Sequence, residues 1–120
     1  MSRPMPGVYS YSYEDDILYV LSKARSYDVS VEVDELVFDL DKSGKVVGVE
    51  IFNASNILNL PKEALRNLRS LKLEVVVGER IALRLQLKAV VRNGQRTGSF
   101  VLERDAPEHM QPSSMQLAVV

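Results

Sequence analysis

Residues 39–50 read DLDKSGKVVGVE, placing Asp39, Asp41, Ser43, Gly44 and Glu50 at positions one, three, five, six and twelve of a calcium-binding EF-hand loop. Oxygens at that spacing converge on Ca²⁺ when two helices bracket the loop. The bracketing segments here are VSVEVDELVFDL and VVGVEIF, rich in β-branched residues and alternating like strands. An extended chain after Gly44 carries Glu50 far from Asp39 along the ladder. The expected structure is therefore a hairpin whose turn is DKSGK, with Gly44 at positive φ and a bulge beside it. Asp39 and Asp41 are expected to accept hydrogen bonds from backbone N–H groups of the turn. Metal ligation by Asp39, Asp41, Ser43 and Glu50 is the minor alternative.

Other residue groups invite chemistry more weakly. Glu14, Asp15 and Asp16, with Asp34, Glu35, Asp39 and Asp41, offer carboxylates for a divalent cation or an acid–base pair, although acidic turns are mostly solvated. The chain has no cysteine and one histidine, His109, which excludes thiolate chemistry, disulfides and a multi-histidine metal centre. No serine has a histidine in a triad pattern, and no glycine-rich phosphate loop is present. The expectation is a protein that is not an enzyme and carries no cofactor. A basic face is a further candidate: Arg80, Arg84, Lys88 and Arg92 fall on one side of a strand, and Lys62, Arg66 and Arg69 follow helical spacing. Such a face can hold nucleic acid or a nucleotide through its phosphates. The sequence pI near 5.8 and the lack of interleaved aromatic residues favour a solvated or protein-facing surface instead. Tyr9, Tyr11 and Tyr13 alternate on a first strand, either as an exposed protein interface or as cover for the core.

The elements that must position these groups are mostly strands. With 120 residues, 46% hydrophobic and 26% charged, the chain fits one globular domain. No run is long and apolar enough for a membrane span and MSRPMPG lacks a signal-peptide core, so the expected location is the cytoplasm. Residues 1–60 hold 5 Lys/Arg and 10 Asp/Glu, while residues 61–120 hold 10 and 6, so the halves carry opposite charge. Packing of the halves against each other, or a charged interaction surface, accounts for that asymmetry. Strands are expected at 9–13, 17–22, 29–33, 36–40 and 45–53, with ILYVLS apolar on both faces and therefore central. One or two short helices are expected within 54–69, where Pro61 suits a helix start. Strands resume at 71–77, 81–91 and 99–103, the last two joined by an Asn93-Gly94 hairpin signal.

EDDILYV at 14–20 followed by VEVDELVFDLDKSGKVVGVEIFNAS at 31–55 resembles the small prokaryotic family named domain of unknown function 2283. Asp16, Leu18 and Tyr19 match its first motif. Asp39, Asp41, Gly44, Val46, Val47, Gly48, Glu50 and Ile51 match its second. Ser12 and Asn53 stand where an Asp is common, and the spacing from Glu32 to Asp39 is about one residue short. The resemblance implies a small β-rich fold with no assigned activity, and an antitoxin or partner-binding role. The expected architecture is α+β: a strand-dominated antiparallel meander, short helices and a further three-stranded antiparallel segment. One domain is expected over 1–105, its family-like core about 9–58 and its extension 60–105, followed by a tail over 106–120 whose MQLAVV is left the alternative of docking as an edge strand or onto a partner. The expected function is a non-enzymatic protein-interaction module, self-associating or holding a protein partner, with nucleic-acid binding as the alternative.

Overall fold

The computed structural model describes residues 4–24, 26–92, 94–108 and 110–119. Asn93 of the hairpin signal, His109 and the first three residues lie outside the described residues. The chain runs β1 (Met5–Ser12), β2 (Ile17–Ser22), β3 (Val29–Val33), β4 (Leu36–Leu40), β5 (Val46–Phe52), α1 (Ala54–Ile57), α2 (Lys62–Arg66), β6 (Leu68–Val77), β7 (Arg80–Val91), β8 (Gly94–Asp105) and β9 (Ser113–Val119). The strand-dominated character and the two short helices match the sequence reading.

The strand order does not follow a simple meander. One nine-stranded sheet is ordered β3-β4-β5-β2-β1-β9-β6-β7-β8. β2 pairs with β1 and β5, and β3 sits at the edge beyond β4. The reason is polarity: β5 brings Val46, Val47, Val49 and Ile51 into the interior. Short β3 presents exposed Ser30 and Glu32, side chains suited to an edge. β6, β7 and β8 do form consecutive antiparallel pairs, but they are the end of this one sheet and not a separate segment.

The expected tail is the largest correction. Residues 113–119 form β9 in the interior of the sheet, antiparallel to β6 and briefly parallel to β1 through Met5–Leu117 and Pro6–Ala118. That parallel step makes the sheet mixed. β1 and β6 each have an edge that needs backbone partners, and β9 supplies them. Its apolar signal was short, only Met115, Leu117 and Val119 alternating behind a polar, proline-containing stretch.

Side chains from both halves of the sheet, with Ala54, Leu58, Ala64 and Leu65 from the helical segment, join one apolar cluster around Phe38, Leu73 and Leu85. The sheet therefore curls over its own core. Its far ends are tied by Arg104 of β8, which reaches Asp34 at 3.2 Å and Glu35 at 3.0 Å in the β3–β4 turn. These partly exposed pairs align the ends and contribute under about 1 kcal/mol each. Here the two oppositely charged halves of the sequence meet directly.

Candidate functional site

The outer face of β2, β5, β4 and β3 carries the densest polar constellation. Asp39 is 4% exposed, an unusual burial for a carboxylate. Tyr19 Oη and Ser30 Oγ both donate to it, the serine at 2.7 Å. Sheet register brings them together: Ser30 lies opposite Asp39 on β3, and Gly48 lies opposite it on β5. Space at Gly48 is tight, since a Cβ there would stand 3.3 Å from Asp39 Oδ2 and 3.2 Å from Leu21 Cβ, so either neighbour would have to give way by a few tenths of an ångström. Asp39 thus binds side-chain hydroxyls from two other strands, where sequence reasoning expected turn N–H groups. The turn is served by Asp41, whose Oδ1 accepts from Ser43 N at 2.9 Å, Ser43 Oγ at 3.1 Å and Lys45 N at 3.0 Å.

Gly44 has φ +82°, and the ladder shifts register at Asp39/Leu40, as expected for a turn with a bulge. A second restriction is tertiary, because a Cβ on Gly44 would lie 2.8 Å from Gln111 Cγ. The hairpin also corrects the position of Glu50. It faces Val37 and Tyr19, one diagonal step from Asp39, because the tight turn returns β5 along β4. The four candidate ligands therefore split, Asp39 and Glu50 on the sheet face and Asp41 and Ser43 in the turn. Among the described residues no group of three His, Cys, Asp or Glu is placed to hold a metal ion.

Burial first, and the charge of Asp39 second, raise the Glu50 carboxyl above its ordinary range. Burial also raises the Tyr19 phenol, followed by its bond to Asp39, so this hydroxyl stays protonated and donates. For Glu50 the sign follows from linkage: a carboxyl raised in the folded state favours folding at low pH and loses that contribution as pH rises through the folded value. Glu50→Gln is therefore expected to raise the melting temperature at pH 7–8 and to have little effect below about pH 4. Like charges on neighbouring strands cost roughly 0.2–1 kcal/mol, about 1–5 °C for a domain of this size. Thermal melts at both pH values test this, and equal shifts at the two would contradict it.

Asp16 forms a second hub. It turns β1 into β2 with φ +57°, a conformation Asp tolerates better than most residues. Its carboxylate accepts from Tyr11 Oη at 2.5 Å, Ser55 N at 3.0 Å and Ser55 Oγ at 2.6 Å, joining the turn to α1. Burial opposes ionisation, but the bonds from Ser55 and Tyr11 and the charge of Lys62 prevail and lower its pKa. Glu14 and Asp15 are exposed beside it, so the acidic run does not converge on one point. Asp34 and Glu35 face Arg104 instead.

The tyrosine strip divides in the same way. Tyr9 and Tyr11 pack against the core, Tyr9 Oη accepting from Leu68 N at 3.2 Å. Tyr13 is 43% exposed, with Lys62 Nζ 5.2 Å and the Arg66 guanidinium 4.9 Å from its ring centre. Arg69 does not continue that helical face; α2 ends at Arg66, and Arg69 lies on β6. On β7, Arg80 bonds Asp105 at 2.6 Å and Arg84 approaches Glu74 at 3.9 Å, while Lys88 is exposed and Arg92 follows the strand's end. Sequence reasoning missed Ser30, Ser55 and Arg104, whose partners lie on another strand or in turns remote in sequence. Their residue types give no local signal of a remote bond.

These features define a strand-rich α+β protein with a single curled mixed sheet and polar hubs at its turns and on its outer face. The chain belongs to the family of proteins of unknown function DUF2283, which residues 9–55 match. It is also similar to a protein of Methanosarcina mazei named putative hypoxanthine phosphoribosyltransferase, at 30% identity over 71% of this chain and 70% of that one. An uncharacterized protein of Methanocaldococcus jannaschii, MJ0789, is 39% identical over 55% of this chain and 56% of its own length. No solved structure matches. Among the described residues no helix is long and apolar enough to cross a membrane.

Proposed function

We propose that this protein is a non-enzymatic cytoplasmic interaction module that pairs with a second copy of itself through β8. The observation that carries this reading is the open edge of that strand: β8 is 12 residues long and has β7 on one side only. Unpaired N–H and C=O groups along such a length are a template for another strand. Val101, 59% exposed, lies in its second half. The opposite edge, β3, has 5 residues and carries exposed Glu32, with Asp34 just beyond it, features that discourage pairing. An antiparallel two-fold centred on Val101 would set Phe100 against Leu102 and Ser99 against Glu103, with no like charges opposed. Centring on Phe100 would oppose Arg96 to Arg104, at a cost. The antitoxin-like role implied by the family would use the same edge for a different chain.

The non-enzymatic part rests on how the carboxylates are used. Asp16, Asp39 and Asp41 spend their oxygens on bonds that hold turns and strands together. The name of the Methanosarcina relative defines the enzymatic rival, and turnover of hypoxanthine with a phosphoribosyl donor would overturn this half of the proposal. The nucleic-acid alternative is weakened by the pairing of Arg80 and Arg84 with carboxylates on the same face.

Sedimentation velocity over a concentration series tests self-association. A dimer is expected, and Val101→Lys is expected to weaken it at least about tenfold by placing a charge at the two-fold. Val101 is exposed, so this change should move the monomer's stability by only about 0.5 kcal/mol. A strict monomer at the highest concentration reached would refute the reading.

A further inference from the structure

The outer face of β6, β7 and β8 holds a pair of cations that the arginine pairing leaves unbalanced. Register sets Ser70 opposite Lys88 and Lys72 opposite Gln86, so Lys72 and Lys88 are diagonal neighbours on adjacent strands. β8 brings Thr97 opposite Lys88 and Ser99 opposite Gln86. Together these six side chains line a groove of about 530 Å³. Arg80 and Arg84 have Asp105 and Glu74 beside them, whereas Lys72 and Lys88 have no carboxylate partner among the described residues. No residue lining the groove is acidic. Two neighbouring ammonium groups repel unless an anion lies between them. The hydroxyls of Ser70, Thr97 and Ser99 and the amide of Gln86 can all donate into the same space.

The geometry points to a binding groove for a phosphate-bearing small molecule, its phosphate oxygens shared between Lys72 and Lys88 and the hydroxyl groups beside them. Charge-assisted bonds from two ammonium groups match a tetrahedral anion with several acceptor oxygens. The volume exceeds what one phosphate fills and falls in the range of small-ligand sites, roughly 300–1,000 Å³. A second groove of about 390 Å³ shares Lys72, Gln86 and Ser99 and adds Glu74, Arg84, Gln116 and Val101, the exposed valine giving an organic portion apolar contact. A nucleic-acid strand fits less well. Glu74 beside Arg84 and Asp105 beside Arg80 interrupt the positive face, and among the described residues no aromatic side chain alternates onto this face to stack a base.

Isothermal titration of the full chain with inorganic pyrophosphate, adenosine 5′-monophosphate, adenosine and a short oligothymidylate, at matched ionic strength, tests the groove. One equivalent of pyrophosphate or the monophosphate is expected to bind, and adenosine is not. Lys72→Glu and Lys88→Glu are each expected to weaken binding at least about tenfold, while Arg80→Glu changes it less than about twofold. If either Glu variant fails to fold, Lys→Gln at the same position is read in its place. Absence of saturable phosphate binding, equal losses in all three variants, or tighter binding of the oligonucleotide than of the small phosphates would overturn the assignment.

Discussion

A chain ending after Pro112 is expected not to fold. It would lack β9, which lies between β1 and β6 and supplies both with backbone partners. Met115 at 6% exposure and Leu117 at 0% would leave the core with it. Burial of each such side chain contributes about 1.5–3 kcal/mol, and the unpaired edges of two interior strands add a further loss. The sum reaches the scale of the whole stability of a small domain, roughly 5–15 kcal/mol. Circular dichroism and urea melts measure the outcome. Were the last residues a dangling tail, truncation would change little. A point variant keeps the question open to measurement if the truncated chain is lost in expression. Leu117→Ala is expected to cost about 2–5 kcal/mol by leaving a cavity, whereas Ala118→Ser, on the partly exposed outer face, stays within about 0.5 kcal/mol.

The second large effect is expected at Asp16. Replacing it with Ala removes the acceptor for Tyr11 Oη, Ser55 N and Ser55 Oγ at once. Bonds to a charged group contribute about 1.5–3 kcal/mol each and are not additive. Alanine at φ +57° adds about 1 kcal/mol of backbone strain. A loss of about 3–4 kcal/mol is the expected total. Asp16→Asn tolerates the same backbone and isolates the charge, so a loss of about 1–2 kcal/mol is expected. The pH dependence follows the lowered pKa of Asp16. Its ionised form contributes stability above the unfolded value, near about pH 4. That contribution is lost as pH falls through the lower folded value. Wild type and Asp16→Asn should therefore differ at pH 7 and converge toward pH 2–3 in urea titrations. A constant difference across that range would mean that the charge is not what matters there.

The family motifs acquire a physical meaning from these hubs. Asp16 joins a turn to α1, Tyr19 and Gly48 frame Asp39, and Asp41 with Gly44 builds the β4–β5 turn. All of these matched positions lie at joints of the fold. That arrangement explains how one motif can resemble a calcium loop without gathering the oxygens of one.

Much of the architecture is local and was therefore legible in the sequence. The period of two in IALRLQLKAVV, the shift of period after Asn53 and the Asp41–Gly44 turn each depend on residues within a few positions of one another. Pairing partners are different, because any alternating strand can lie beside any other until the whole set of edges is matched. That is why the place of β2 beside β5, the use of β9 as an interior strand and the bonds of Ser30 to Asp39 and Ser55 to Asp16 emerge only from the tertiary structure. Charge shows the same division. The sequence by itself determined a face of Arg80, Arg84 and Lys88, but cross-strand register decided that carboxylates stand beside the arginines and that Lys72 joins Lys88. A strand fixes which of its side chains share a face, while only its neighbours fix what those side chains meet.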